Sequence, residues 1–286
     1  VLAPARLFLR ENEVMVVLVE GVRLHLSHPV EYAAEWIGQE EVMRELLAAW
    51  MVLGEDDLPM NPRITGKPGV GKTTLAYAAA KRLGREAYIM QGTVDTRPED
   101  LIVQPVVEGP GTLKYVASPL VTAMLRGGVA ILDEANRMPE KSWASLAPLL
   151  DSRRYVESVV AGVKIPARPE FRLVCTMNED ASTFDLPEYI FSRLQPQIHI
   201  DFPEESEEKA ILRQNLPLAE EEVISLVSEF LQSAHESDEP YTVRDGIHVG
   251  RYAMRLLEAK RAPNLEHAIR HAIRQVLGED ALRHVL

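Results

Sequence analysis

The stretch Gly66-Lys67-Pro68-Gly69-Val70-Gly71-Lys72-Thr73-Thr74 decides the fold. A glycine, four free positions and then Gly-Lys-Thr is the spacing of a phosphate-binding loop. The residue types follow from the chemistry. Gly66, Gly69 and Gly71 carry no Cβ, so the backbone can adopt positive φ and approach a phosphate closely. Consecutive N–H groups then form an anion-binding concavity at a helix N-terminus. Lys72 is the residue to bridge the β- and γ-phosphates of a nucleotide, and Thr73 the residue to ligate Mg2+. The flanks agree with this reading. Pro62 to Thr65 can end a strand, and Leu75 to Leu83 is rich in helix formers with a Gly84 stop. The plain alternative is a glycine-rich turn before a helix, with no ligand.

A second stretch bears on that choice. Gly127 to Glu134 reads as a buried strand, Val129 to Leu132 being a short apolar run of the kind found in parallel sheets covered on both faces. It ends in Asp133 and Glu134. Asp133 suits a Mg2+ ligand, because that ion prefers oxygen donors and keeps its own waters. Glu134 suits a base that orients and deprotonates the attacking water. Such carboxylates belong at the carboxyl ends of the strands, where α/β sheets bind ligands. An ordinary Asp-Glu helix cap is the competing reading.

Composition bounds the rest. The chain has 286 residues, 46% hydrophobic and 26% charged, as expected of a soluble protein with one main and one smaller domain. No apolar run approaches a membrane span, and no leader is visible, which points to the cytoplasm; Val1 in place of Met suggests a trimmed start. The single cysteine, Cys175, excludes an internal disulfide and sits in an apolar strand pattern. The net charge of -12 argues against a general nucleic-acid coat. The charge is uneven: Asp201 to Glu239 holds twelve acidic residues against Lys209 and Arg213, whereas from Arg251 onward seven Lys/Arg face four Asp/Glu. Such patches read as solvated helix faces or, more sharply, as a partner surface.

Taken in order, Arg6–Arg10, Val14–Glu20 and Val22–His28 are expected as short strands, an N-terminal β extension over residues 1–30. Glu31–Leu53 has a helical pattern starting around Ile37-Gly38-Gln39. Glu86–Gln91 is a strand candidate. Thr96–Asp100 looks like a helix start. Leu101–Val107 and Thr112–Val116 form a hairpin in which Pro105 demands an edge strand or a bulge. Pro119–Arg126 and Pro139–Leu150 are helices around the Asp133 strand. Ser152–Val160 and Val163–Pro166 form a second hairpin. Phe171–Met177 is a buried strand closed by Asn178, Leu186–Leu194 a short helix and Gln197–Phe202 a last strand. Four helices follow: Glu204–Asn215, Glu220–Ser233, Val243–Lys260 and Asn264–Leu277. The expectation is an α/β core over 31–203 and a helical domain over 204–286.

Three further residues carry possible chemistry. Asn178 could polarise water or touch the γ-phosphate; strand-ending turn Asn residues are common. Arg193 could be an arginine finger, or a cation meeting a helix C-terminus. Arg244 could reach nucleotide from the helical domain, or be a surface arginine. His267 and His271 are four apart, but Arg270 and Arg274 crowd that face and no zinc motif follows. Ser142 and Ser145 lack a His and Asp context.

With these pieces in this order, the chain resembles the AAA+ ATPases and, within them, the MoxR-like family, over roughly Glu31 to Leu257. Trp36-Ile37-Gly38-Gln39 is similar to the segment beside the adenine, which implies Ile37 and Gly38 as nucleotide contacts. Gly66 to Thr74 matches Walker A, and Ile131-Leu132-Asp133-Glu134-Ala135-Asn136-Arg137-Met138-Pro139 the family's Walker B run. Thr176-Met177-Asn178 aligns with sensor 1, Leu186 to Arg193 with the arginine-finger helix, and Tyr241-Thr242-Val243-Arg244 with sensor 2. The resemblance implies an α/β P-loop NTPase core, a parallel sheet sandwiched by helices with two β-hairpin inserts, followed by a small all-helical lid. It also implies Mg2+-dependent ATP hydrolysis by a homo-oligomeric, hexameric ring, completed across subunits by Arg193. It implies chaperone-like remodelling of a protein client, often beside a von Willebrand A-domain partner, with the hairpins facing substrate. The departures are Lys67 where the family writes Pro, Leu194 where it favours Phe, and Val243 and Asp245 flanking Arg244. A motor of a nucleic-acid-processing complex and a non-hydrolysing nucleotide-dependent scaffold are the other readings.

Overall fold

Five parallel strands stand at the centre of the molecule, in the order β11-β3-β10-β7-β4. They are β3 (Arg63–Gly66), β4 (Ala87–Gln91), β7 (Val129–Asp133), β10 (Arg172–Asn178) and β11 (Gln197–His199). The computed structural model describes residues 16–31, 35–109, 111–179 and 185–285. The strands are short, and the three central ones, β3, β10 and β7, are almost wholly buried, as parallel strands covered on both faces must be. Alternate side chains go to opposite layers. Ile64, Ile131, Val174 and Ile198 pack with Met43 and Leu46 of α1 (Glu40–Ala49), with Trp50 just past its end, and with Leu75 and Ala79 of α2 (Lys72–Arg82). Leu132, Leu173, Cys175 and Met177 pack the other way, with Leu120 and Met124 of α4 (Pro119–Arg126) and Trp143 of α5 (Glu140–Leu146).

The N-terminal strands are not a separate appendage. β1 (Val16–Val19) and β2 (Val22–His25) join the first hairpin, β5 (Val103–Gly109) and β6 (Thr112–Ala117), in a second sheet of order β1-β2-β6-β5. β2 runs parallel to β6. Ser27 Oγ donates to the Ala117 carbonyl at 2.9 Å, and the Ser27 N–H donates to Thr122 Oγ1 at 3.0 Å. Pro105 lies on an edge strand, as its missing N–H demands, and pairs in register with Tyr115; the register slips further on, between Val107 and Gly109. The expected strand Arg6–Arg10 falls outside the described residues. α3 (Pro98–Leu101) takes the start of the expected first arm, so β5 begins at Val103.

In the Glu31–Leu53 segment α1 starts at Glu40, just after the expected start at Ile37-Gly38-Gln39; Gly38 (φ 72) and Gln39 (φ 43) are left-handed, so no helix runs through them. It ends at Trp50, whose indole N–H donates to the Leu173 carbonyl at 2.9 Å while its own carbonyl accepts from Arg172 Nε at 2.8 Å. The helix expected over Pro139–Leu150 also stops early, at Leu146. The second hairpin is β8 (Tyr155–Ser158) and β9 (Val163–Pro166), shortened at its start by Arg154 at φ 48. Before β11 comes the short α6 (Glu188–Phe191).

Past β11 the chain is helical: α7 (Glu205–Asn215), α8 (Glu221–Glu236), α9 (Val243–Glu258), α10 (Leu265–Leu277) and a closing 3-10 turn over Glu279–His284. These share their own apolar core, including Leu212, Val227, Leu231, Val249 and Ile269. Close packing is visible at Gly250, where an added Cβ would come within 2.7 Å of the Leu216 side chain. Among the described residues, no helix is long and apolar enough to cross a membrane.

Candidate functional site

The loop between β3 and α2 curls over the carboxyl ends of the strands. Gly66 (φ 147) and Gly69 (φ 92) adopt backbone conformations that side chains resist. Space forbids a Cβ as well: at Gly66 it would lie 2.4 Å from the Ile200 carbonyl oxygen, and at Gly69 2.5 Å from Thr242 Oγ1. The second of these contacts brings the helical region directly onto the loop.

Lys72 opens α2 and turns back beneath the loop. Its Nζ donates to the carbonyls of Gly66 and Lys67, both at 2.8 Å. Only 6% of the residue is exposed. Burial pulls its pKa down to about 8, against the opposing pull of the Asp133 and Glu179 carboxylates. A buried ammonium held only by carbonyls is poised for an anion.

Asp133 is the last residue of β7, and two hydroxyls converge on it. Thr73 Oγ1 donates to Asp133 Oδ1 at 2.6 Å, and Thr176 Oγ1 to the same oxygen at 2.5 Å. The Thr73 proton is thereby committed, which leaves its lone pairs available to a cation. Among the described residues, no three His, Cys, Asp or Glu side chains gather. One carboxylate and one hydroxyl beside a phosphate cradle form the oxygen set that suits Mg2+, which prefers to share its shell with substrate phosphate and water.

Glu134 stands next in a left-handed conformation, φ 50 and ψ 39. Non-glycine residues rarely sit there, and the strain turns its side chain off the strand direction. Three groups hold the carboxylate: Arg137 Nε at 3.1 Å, Gln91 Nε2 at 3.3 Å and Asn178 Nδ2 at 3.4 Å. Asn178 is anchored in turn, its carbonyl accepting from Asn136 Nδ2 at 2.8 Å.

These side chains share one cleft of about 260 Å³. Pro68, Gly69, Gly71, Lys72, Thr73, Thr74, Asp133, Glu134, Asn178 and Arg244 line it. Ile89, not singled out in the sequence, lines it too. Arg244 arrives from the second position of α9, whose start is fixed by a capping box: the Thr242 N–H donates to Asp245 Oδ2 at 2.8 Å. That gives the unusual flanks of Arg244 a purpose, since Asp245 closes the cap and Val243 is buried in the helical core.

Other expected residues lie elsewhere. Gly66, Lys67 and Val70 belong to the loop but not to the cleft lining. Lys67 instead reaches the helical region, its Nζ 3.4 Å from Asp238 Oδ1 and 4.7 Å from the Phe202 ring centre. Ile37 and Gly38 do not line the cleft either. That segment touches the loop through Trp36, whose ring would sit 3.1 Å from a Cβ on Gly71. It is tied to α7 by the Gln39 N–H, which donates to Glu207 Oε1 at 2.7 Å.

Arg193 is not brought to the cleft within this chain. It lines a different cavity, of about 320 Å³, with Asp151, Arg154 and Gln195. Its Nε lies 3.7 Å from Asp151 Oδ2, and its guanidinium donates to the Tyr189 carbonyl. Arg63 props this helix from below, stacking 3.9 Å from the Phe191 ring centre and donating to the Leu194 carbonyl.

Residues 63–194 match the family model described as AAA domain (dynein-related subfamily). A Staphylococcus aureus protein (strain NCTC 8325 / PS 47), described only as uncharacterized, is 26% identical over 179 residues, 61% of this chain and 68% of that one. The same relative in strain USA300 shows the same identity and coverage. Among solved structures, the RuvB Holliday junction branch migration motor of Thermotoga maritima superposes with a TM-score of 0.58 at 21% identity, over 86% of this chain and 72% of that one. A mutant of that RuvB gives 0.60 over 86% and 73% at 21% identity. The parallel sheet, its covering helices and the helical C-terminal region thus share the fold of the AAA+ P-loop NTPases, and the match to the AAA domain model falls on residues 63–194 of it.

Proposed function

We propose that this chain is a Mg2+-dependent ATPase of the AAA+ class and of MoxR-like type, which hydrolyses ATP in the cleft between the phosphate loop and the strand ends. The observation that carries this reading is convergence. Lys72 and Thr73 of α2, Asp133 and Glu134 at the end of β7, Asn178 of β10 and Arg244 of α9 meet in one cleft. A glycine-rich turn without a ligand would not bury a lysine beside two carboxylates.

The residues then take distinct parts. The loop N–H groups and Lys72 grip the β- and γ-phosphates. Thr73 and Asp133 would hold Mg2+, which when bound offsets charge on the phosphate oxygens. Glu134 takes the proton of the attacking water at its carboxylate, whose direction Gln91, Asn178 and Arg137 fix. Asn178 and Arg244 steady the γ-phosphate. Arg193 lies off the cleft of its own subunit and serves the next copy, so turnover requires a ring, a hexamer by resemblance. The work done is chaperone-like remodelling of a protein client in the cytoplasm, alone or beside a von Willebrand A-domain partner.

Phosphate release tests this. Wild type is expected to turn over, and Glu134→Gln to bind ATP normally while losing about 10²- to 10⁴-fold in rate. Normal turnover by that variant removes the base assignment. The likeness of fold to a DNA motor favours a second reading, nucleic-acid processing. The net charge of -12 weighs against it, and turnover stimulated by DNA would revive it.

A further inference from the structure

We propose that Thr176 is the positioning residue that locks Asp133 and Glu134 into working register; the inference rests on the hydrolase reading above. Strand pairing sets it up. β10 and β7 run parallel with Cys175 opposite Leu132, so the next pair across is Thr176 and Asp133. Cys175 and Leu132 pack into one layer, and alternation sends Thr176 and Asp133 to the other, the side where α2 carries Thr73.

The hydroxyl of Thr176 makes two bonds at once. It donates its only proton to Asp133 Oδ1 at 2.5 Å and accepts the Glu134 N–H at 3.1 Å. The second bond answers a specific need. At φ 50 the Glu134 backbone has left the strand, so the sheet ladder offers its N–H no partner. A buried N–H without an acceptor is costly, and Thr176 supplies one. The same oxygen therefore fixes the carboxylate expected to meet the cation and the backbone of the residue expected to meet the water. Thr176 itself is buried, with 1% of the residue exposed, so its hydroxyl is held in place by packing.

Only a β-branched residue with a hydroxyl does this without leaving a gap. Valine has the shape and no hydroxyl; serine has the hydroxyl and no methyl. A packing role and a positioning role therefore separate cleanly. The test compares wild type, Thr176→Val and Thr176→Ser in phosphate release, in ATP affinity without Mg2+, and in the Mg2+ concentration that half-saturates thermal stabilisation of the ATP complex. Thr176→Val should lose about 10- to 100-fold in kcat, the scale of one buried hydrogen bond removed. Its metal-free ATP affinity should stay within twofold, and its half-saturating Mg2+ should rise several-fold. Thr176→Ser should recover most of both.

A valine variant with unchanged kcat and Mg2+ half-saturation overturns the proposal. So does a serine variant as damaged as the valine one, which would assign the effect to the lost methyl. A wild type that binds MgATP without hydrolysing it overturns the hydrolase reading instead, and the Mg2+ shift then decides the role of Thr176. Should Thr176→Val not fold, Thr176→Ala beside Thr176→Ser decides, since both lack the methyl and only serine keeps the hydroxyl: a raised Mg2+ half-saturation in the alanine variant alone supports the proposal, and equal values in the two refute it.

Discussion

The cleft and the Arg193 platform are built on opposite plans. In the cleft, the side chains for binding and attack are already tied to one another: Thr73 and Thr176 to Asp133, Asn178 to Glu134, Lys72 to its own loop. On the platform, Arg193 stands in a separate cavity and is held toward Asp151, which Arg153 also engages through Nη2 at 2.8 Å. A single chain thus carries a closely tied cleft and, apart from it, a cation engaged only by Asp151 and the Tyr189 carbonyl among the described contacts. Under the proposed ring, the contrast means that binding and turnover are separable properties, the first belonging to one chain and the second to an assembly.

The strongest blow to that contrast falls on Arg193. Arg193→Ala should cut phosphate release by about 10³-fold, the scale of an arginine finger, with ATP binding intact. Mixing it with Lys72→Ala subunits, which retain the arginine and lack the grip, should restore part of the rate. Failure of every mixing ratio would bring the contrast down.

The grip has its own pH signature. Burial lowers the Lys72 pKa to about 8, so the free protein loses that charge as pH rises through this value. ATP affinity should therefore fall by about tenfold between pH 7 and pH 9. A flat affinity profile over that range would show that the ammonium does not meet the phosphates.

The smallest effect concerns the helical region that carries Arg244. Glu208 is fully buried on α7, accepting from Ser228 Oγ at 2.8 Å, and burial pushes its carboxyl up to about 7. The folded state favours the proton, so stability is intact below the ordinary carboxylate pKa and is lost as pH climbs through 7. Glu208→Gln should raise the melting temperature at pH 8 by about 2–4 °C and change little at pH 5. Equal shifts at both pH values would exclude a buried carboxylate as the cause.

The sequence made the central sheet legible because its signals are local. Gly66 to Thr74 and the Val129 to Glu134 run each join a strand to its functional end within a few residues. Asn178 was legible for the same reason. What stayed hidden needs two distant segments to meet. Thr176 looks like any β-branched strand residue until β10 lies beside β7, and Ile89 is one apolar position among many. Strand parity held one clue, since Thr176 shares a face with Asn178. The N-terminal strands could be found but not placed, because their partner β6 lies about ninety residues away and pairs with β2 through only two register positions. The helix after Gln39 was legible in its start, whereas its end at Ala49 rather than Leu53 leaves no mark on hydrophobic spacing.

The most direct measurement is an equilibrium titration with ATP and Mg2+ of wild type beside Lys72→Ala. Saturable binding by wild type, weakened by about 100-fold or more in the variant, is the predicted result, since the variant removes a charge-assisted contact and leaves the fold standing. Equal affinity in both proteins would mean that the loop beginning at Gly66 does not hold the phosphates.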